Sequence, residues 1–351
     1  MTDAGIASHH AKSRVDWVDV GKGVCIVLVV MMHSTLGVGI AMGGEGFMHH
    51  VVAFSKPFRM PDFFLISGLF LALVVDRPWR TYLDRKVVHF LYFYVLWLLI
   101  QGLFKWPGLA LEAGPMAVVE AAALSLIEPF GTLWFIYLLP IFFVFAKLVK
   151  NVPPLLVLAF AAVLETLRVK TGWTVPDEFC SRLFYVMLGW YAARYVFAVA
   201  DAARGRWSLA IAGLAAWALA NGAAVAFGYS ELPGVSLVLG TAGALAIVSA
   251  SALVAGTKLG EPLRYAGQRS LAIYLAFFLP MAATRVILVK TGVITDIGWV
   301  SLIVTVVGVL VPLALHWCVM RMDKGRFLFV RPSWFSLDGA RSGGRKLQPA
   351  E

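Results

Sequence analysis

The sequence predicts an all-α fold, a polytopic transmembrane bundle of about ten helices, and three observations carry that prediction. Of the 351 residues, 60% are hydrophobic and 14% charged, with a mean hydropathy of +0.81, which is more apolar surface than the core of a water-soluble domain absorbs. The apolar residues fall in blocks of roughly 17 to 23, the length at which a helix rising 1.5 Å per residue crosses the ~30 Å hydrocarbon layer. Lys and Arg are distributed unequally between alternate connections, as the insertion bias of membrane helices requires.

Taken in order, the predicted spans are 24–40, 60–75, 87–103, 130–146, 153–167, 179–198, 207–227, 235–255, 271–289 and 299–319. The first comes after a polar N-terminus that lacks a signal-peptide pattern, so it reads as a true span. The second opens on Pro61, suited to the first turn of a helix. Residues 109–127 are also apolar, but Glu112 and Glu120 interrupt them, which favours an interfacial or re-entrant helix. The resulting division is a cytoplasmic N-terminal segment (1–17), a ten-helix domain (18–320) and a basic, partly disordered cytoplasmic tail (321–351).

With the N-terminus inside, 22 of the 30 Lys and Arg residues lie on the cytoplasmic side and 8 outside. This predicts a multi-pass protein of the cell inner membrane with both termini cytoplasmic. The formal net charge of +10 is then a consequence of topology, and nucleic acid is excluded as a partner. Cys25, Cys180 and Cys318 lack metal-ligand spacing and read as small packing residues, and His49 and His50 have no further ligands in register, so no metal is expected.

Polar groups inside apolar spans are the candidates for chemistry. Lys22 and His33 are eleven residues apart, about three helical turns plus 20°, so both project from one face roughly 16 Å apart, with Asp19 near the same stripe. A membrane-embedded neutral imidazole can serve as a general base; the alternative is a packing histidine bonded to a neighbouring hydroxyl. The second constellation is Arg59, Asp62, Ser67 and Gly68 at the start of the second span. Asp62 suits a helix N-terminus and can pair with Arg59, while Ser67 and Gly68 permit close helix approach.

A basic residue, ten intervening residues and a histidine, followed by Phe63, Phe64, Ser67 and Gly68 in a Phe-Phe-x-x-Ser-Gly span, resemble the acyltransferase 3 family of membrane acyltransferases, which includes fucose and lipopolysaccharide O-acetylases. Leu133-Trp134-Phe135, Gly189-Trp190-Tyr191 and the stretch from Tyr265 to Leu275 extend the resemblance over roughly residues 16 to 320. It implies transfer of an acyl group, usually acetyl, from cytoplasmic acyl-CoA to a carbohydrate or glycolipid hydroxyl at the membrane or its outer face. Acyl-CoA is then a co-substrate, with no tightly bound cofactor, and membrane lipid is the remaining partner.

By position, the resemblance makes His33 the catalytic histidine and puts Lys22 where the family usually has Arg. Lys is a point charge without the bidentate fork of Arg. Paired arginines expected before the third helix are replaced by Arg85 and Lys86, with Arg77 and Arg80 in Arg-x-x-Arg spacing upstream; either set can grip acyl-CoA phosphates, and either can be ordinary cytoplasmic charge. Asp19, Arg59, Asp62 and Ser67 are expected to line the substrate site. After Tyr274-Leu275, where relatives often carry His, this chain has Ala276-Phe277-Phe278. Arg285 reads as a snorkelling residue near a helix end. The competing function is a transporter or export component for a lipid-linked sugar, with Lys22, His33 and Asp62 forming a path; the scarcity of buried carboxylates argues against it.

Overall fold

The computed structural model describes residues 15–322 and 324–337, and these form sixteen α-helices joined by short turns, with no strands among the described residues. In chain order they are α1 (Asp16–Met42), α2 (Phe47–Ser55), α3 (Arg59–Gly68), α4 (Trp79–Leu83), α5 (His89–Ala113), α6 (Pro115–Leu124), α7 (Trp134–Leu148) and α8 (Pro154–Leu167). The second half comprises α9 (Thr174–Tyr191), α10 (Ala193–Gly205), α11 (Trp207–Ala226), α12 (Val235–Val254), α13 (Gly260–Gly267), α14 (Ser270–Ala276), α15 (Phe278–Thr291) and α16 (Ile297–Met322).

Six helical stretches are long and apolar enough to cross a membrane, and eight if the bent pairs α9/α10 and α14/α15 each count as one span. The chain is therefore a multi-pass membrane protein. The remaining two predicted spans have helical counterparts that are too short to cross unaided: α3 has 10 residues and α8 has 14. At 1.5 Å per residue, α3 extends about 15 Å, half the hydrocarbon thickness. The apolar block continues past Gly68, but the backbone turns into a short 3-10 segment, Leu71–Leu73. Residues 109–127, expected as one separate piece, are divided: 109–113 complete α5, Gly114 adopts φ 86°, and only from Pro115 does the separate short helix α6 begin.

Two local features explain breaks near the site. The 51° bend between α14 and α15, at Phe277, lies three residues before Pro280, whose ring excludes the carbonyl of Ala276, four residues back, from continuing the helix. The stretch Trp79–Ala113 is continuous but carries a π-helical turn at Asp84–Val88, which contains Arg85 and Lys86.

The helices divide into two compact units. The first comprises Met1–Leu73, Pro154–Leu167 and Arg182–His316; the second comprises Val74–Pro153, Arg168–Ser181 and Trp317–Glu351. In the first, small residues set the helix spacing. A Cβ on Gly267 would overlap the carbonyl of Asp19, and one on Gly23 the carbonyl of Leu263, so α13 and α1 touch backbone to backbone. Likewise a Cβ on Gly68 would strike the carbonyl of Val186 and one on Gly189 the carbonyl of Leu65, which locks α3 against α9.

In the second unit, the stretch 324–337 beyond α16 is folded. Arg331 donates to the Asp84 carboxylate at 2.7 and 3.2 Å, Ser336 Oγ at 3.1 Å and the Leu337 amide at 2.7 Å, all around a carboxylate that is nearly solvent-free. Trp97 Nε1 and Tyr92 Oη donate to the carbonyls of Leu328 and Phe327 at 3.1 and 2.9 Å. This part of the predicted tail is thus fastened to α5 and its π turn; the rest of the tail, like the first fourteen residues of the N-terminal segment, lies outside the described residues.

Candidate active site

Lys22 and His33 both lie on the unbroken helix α1, so the register expected from the sequence is realised. Asp19 is 6% exposed and sits 4.0 Å from the Lys22 ammonium, one turn back. Backbone contact with α13 surrounds this turn: Gly267 rests on Asp19 and Gly23, the neighbours of Lys22. The stretch from Tyr265 that carried part of the family resemblance therefore packs on the Lys22 end of α1.

His33 is half-buried, and its ring lies 5.5 Å from the Phe277 ring at 36°. Neither ring nitrogen is hydrogen-bonded to another described residue, so the packing alternative, a histidine held by a neighbouring hydroxyl, is not the arrangement found. Phe277 occupies the α14/α15 bend, so the position at which a second histidine is absent supplies an aromatic face to the first.

Helix α3 runs antiparallel beside α1. Ile66 meets Gly21, Asp62 acts electrostatically on Cys25, and the charge of Arg59 reaches His33. Asp62 is 1% exposed, and neither carboxylate oxygen has a hydrogen-bond partner among the described residues. Asp62 stands in the first turn of α3, as expected, but its carboxylate takes no hydrogen bond from Arg59 or any other described residue; the short helix carries it into the packed interface with α1. Ser67 is half-buried and donates to the Phe63 carbonyl at 2.8 Å; five residues after Asp62, it points about 140° away around the helix. Its hydroxyl is engaged within α3.

Sequence reasoning missed the polar network behind Asp62. Tyr185 on α9 interacts electrostatically with Asp62, Glu165 and Arg182, and its hydroxyl faces the Ser236 carbonyl at 3.4 Å. Ser236 Oγ in turn donates to Glu165 at 2.8 Å. Gly240 makes room for the phenol, since a Cβ there would overlap Tyr185 Oη. The signal was weak: a Tyr in an apolar span and a Glu near a helix end.

The basic residues of the second unit form their own constellation. Arg80 and Arg85 are exposed, and Arg77 is half-buried. Burial, and after it the neighbouring charge of Arg85, lowers the Arg77 pKa below the ordinary guanidinium value. Arg80 donates to the Leu337 carbonyl at 2.6 Å, and Lys86 lies over the Phe143 ring at 4.8 Å. Lys147, which reads in sequence as ordinary cytoplasmic charge, is 5% exposed; it donates to the carbonyls of Val75 and Arg77 between the rings of Trp79 and Tyr82. It pins the loop that carries Arg77 and leads into α4, which carries Arg80.

Among known proteins, the acyltransferase 3 family, described as an acyltransferase domain, has a family model that matches residues 15–320. The chain is 27% identical over 214 residues to the inner membrane protein YcfT of Escherichia coli strain K12, a curated protein, in a match covering 52% of this chain and 57% of that protein. The chain thus spans just over half the length of this relative. No solved structure gives a significant match. The matched span runs from the start of α1, through the Lys22 and His33 helix and the Phe-Phe-x-x-Ser-Gly helix α3, to the last turns of α16, and on that extent the chain belongs to the acyltransferase 3 family.

Proposed function

We propose that this protein transfers an acyl group, acetyl in the first instance, from cytoplasmic acyl-CoA to a hydroxyl of a carbohydrate or glycolipid at the membrane or its periplasmic face. The observation that carries the proposal is His33 itself: a half-buried imidazole on α1, in register with Lys22, with both ring nitrogens uncommitted to described residues and a guanidinium nearby. In this reading His33 takes the proton of the attacking hydroxyl, the tetrahedral oxyanion that forms at the acyl carbon is stabilised by neighbouring positive charge, and its collapse breaks the thioester C–S bond, the CoA thiolate leaving with the proton held by the imidazolium. A covalent acyl-histidine relay uses the same nitrogen as nucleophile. In this reading Lys22 is the donor-phosphate residue of the first unit, and Arg77, Arg80, Arg85 and Lys86 are candidates for the same role in the second; a cytoplasmic donor requires these residues, and with them both termini, on the cytoplasmic side of the inner membrane.

The test is turnover of labelled acetyl-CoA by the purified full-length protein in nanodiscs, with membrane glycans as acceptors. His33→Ala is expected to lower turnover by at least about 10²-fold, the usual scale of general-base loss. Undiminished turnover in a folded His33→Ala protein ends this mechanism. Mass spectrometry of surface glycans with and without the protein identifies the acceptor and acyl group.

A further inference from the structure

The positive charge beside His33 extends beyond Arg59. Phe277, Met281 and Arg285 recur every four residues and form one stripe at the start of and along α15. This stripe faces α1: Phe277 lies on the His33 ring, and the Arg285 guanidinium lies against the bare backbone of Gly37, where a Cβ would overlap Nη1. Gly37 is one helical turn beyond His33. The guanidinium is therefore turned onto α1 on the same interhelical seam as His33.

Arg285 is half-buried and makes no ion pair or hydrogen bond with another described residue. Asp62 is a nearby carboxyl, but it meets α1 at Cys25, twelve residues before Gly37 and so about 18 Å further along the axis, well beyond the reach of an Arg side chain. A guanidinium in this setting is expensive unless an anion completes it, and its planar fork suits the two oxygens of a phosphate or carboxylate. Arg59 adds a second positive charge near the imidazole. Lys22, fifteen residues before Gly37, lies about 22 Å away along α1, so Arg285 is remote from the end assigned to the donor phosphates.

We propose that Arg285 binds an oxyanion carried by the acyl acceptor, so that the acceptor is a phosphate- or carboxylate-bearing molecule whose hydroxyl is thereby held at His33. Gly37 is the other half of the device, because any side chain there displaces the guanidinium. The proposal rests on the acyl-transfer reading for its account of the hydroxyl, whereas anion binding is measurable without turnover.

The experiment uses full-length protein in phosphatidylcholine nanodiscs, with inorganic phosphate as the binding probe and sn-glycerol 3-phosphate against glycerol as matched acceptors with acetyl-CoA. Wild type is expected to bind phosphate saturably; Arg285→Gln and Gly37→Val weaken binding at least tenfold, and Arg285→Lys keeps most of it. Wild type also prefers the phosphorylated acceptor in kcat/KM by at least tenfold, and Arg285→Gln abolishes that preference. Absence of saturable phosphate binding by wild type, or equal affinity in Arg285→Gln, overturns the proposal. Repeating the titration in phosphatidylglycerol nanodiscs separates the sources of the anion. If phosphatidylglycerol displaces phosphate through Arg285, the site belongs to a lipid headgroup and the acceptor assignment is overturned. His33→Ala is expected to retain phosphate binding, so loss of turnover in that variant and loss of phosphate binding in Arg285→Gln report on the two readings separately.

Discussion

Replacing Asp84 by alanine removes the carboxylate around which the segment after α16 is organised. Its two oxygens accept from both Arg331 amino groups, from Ser336 Oγ and from the Leu337 amide, and the Arg331 and Asp84 side chains are only 8% and 7% exposed. Truncating one member of such a buried pair strands the other charge, which costs about 3–5 kcal/mol. The Arg331 bond to the Asp84 backbone carbonyl at 2.8 Å survives, so the lower half of that range is the better expectation. At roughly 1.4 kcal/mol per tenfold, the opening equilibrium of the segment then rises by about a hundredfold to several hundredfold. Hydrogen exchange followed by mass spectrometry of the purified protein reads this directly, with peptides covering 331–337 losing protection in Asp84→Ala. Peptides covering 326–328 keep theirs, because Trp97 and Tyr92 hold the Phe327 and Leu328 carbonyls independently. Asp84→Asn retains one acceptor oxygen and falls between. If exchange over 331–337 in Asp84→Ala stays within twofold of wild type, the carboxylate is not what fastens the segment.

Lys22→Ala is expected to raise the KM for acetyl-CoA about tenfold or more with a smaller effect on kcat, while Lys22→Arg keeps or improves donor binding; steady-state kinetics at varied donor distinguish these from an effect on acceptor use. Gly267→Val drives a branched side chain into the Asp19 carbonyl and should cost about 1–3 kcal/mol, seen as a lowered Tm; an unchanged Tm would show that α13 can move off α1 freely. Asp62→Asn exchanges a buried carboxyl without hydrogen-bond partners among the described residues for an amide of nearly the same shape, so thermal stability should hold or rise while acyl transfer falls; a loss of stability alongside activity would assign Asp62 to packing instead.

The architecture was legible where it depends on local periodicity. Apolar block length fixed the helical segments, and the eleven-residue interval between Lys22 and His33 gave their shared face, since both facts derive from the geometry of one helix. What the sequence concealed depends on partners distant along the chain. Gly267 meets Asp19 from far along the chain, and nothing about a glycine in a Tyr-Ala-Gly-Gln stretch says which backbone it must touch. The contacts of Lys147 and Arg285 were hidden for a related reason: hydropathy treats a cation near a helix end only as a surface charge, whereas available carbonyls, aromatic faces or a bare glycine can hold it against the protein. The shortness of α3 was hidden because apolar composition continues beyond Gly68 while the helix does not.

The reciprocal contact of Gly68 and Gly189 makes α3 a piston with a fixed stop. One end of this ten-residue rod bears on the backbone of α9, and the other carries Arg59, whose charge reaches His33. Because the rod is rigid, any methyl added at the stop is transmitted along it, and a displacement of ~1 Å at a reacting centre can cost on the order of 10²-fold in rate. A substitution about three turns from the imidazole would then present as a catalytic defect in a protein that folds, inserts and binds its donor normally.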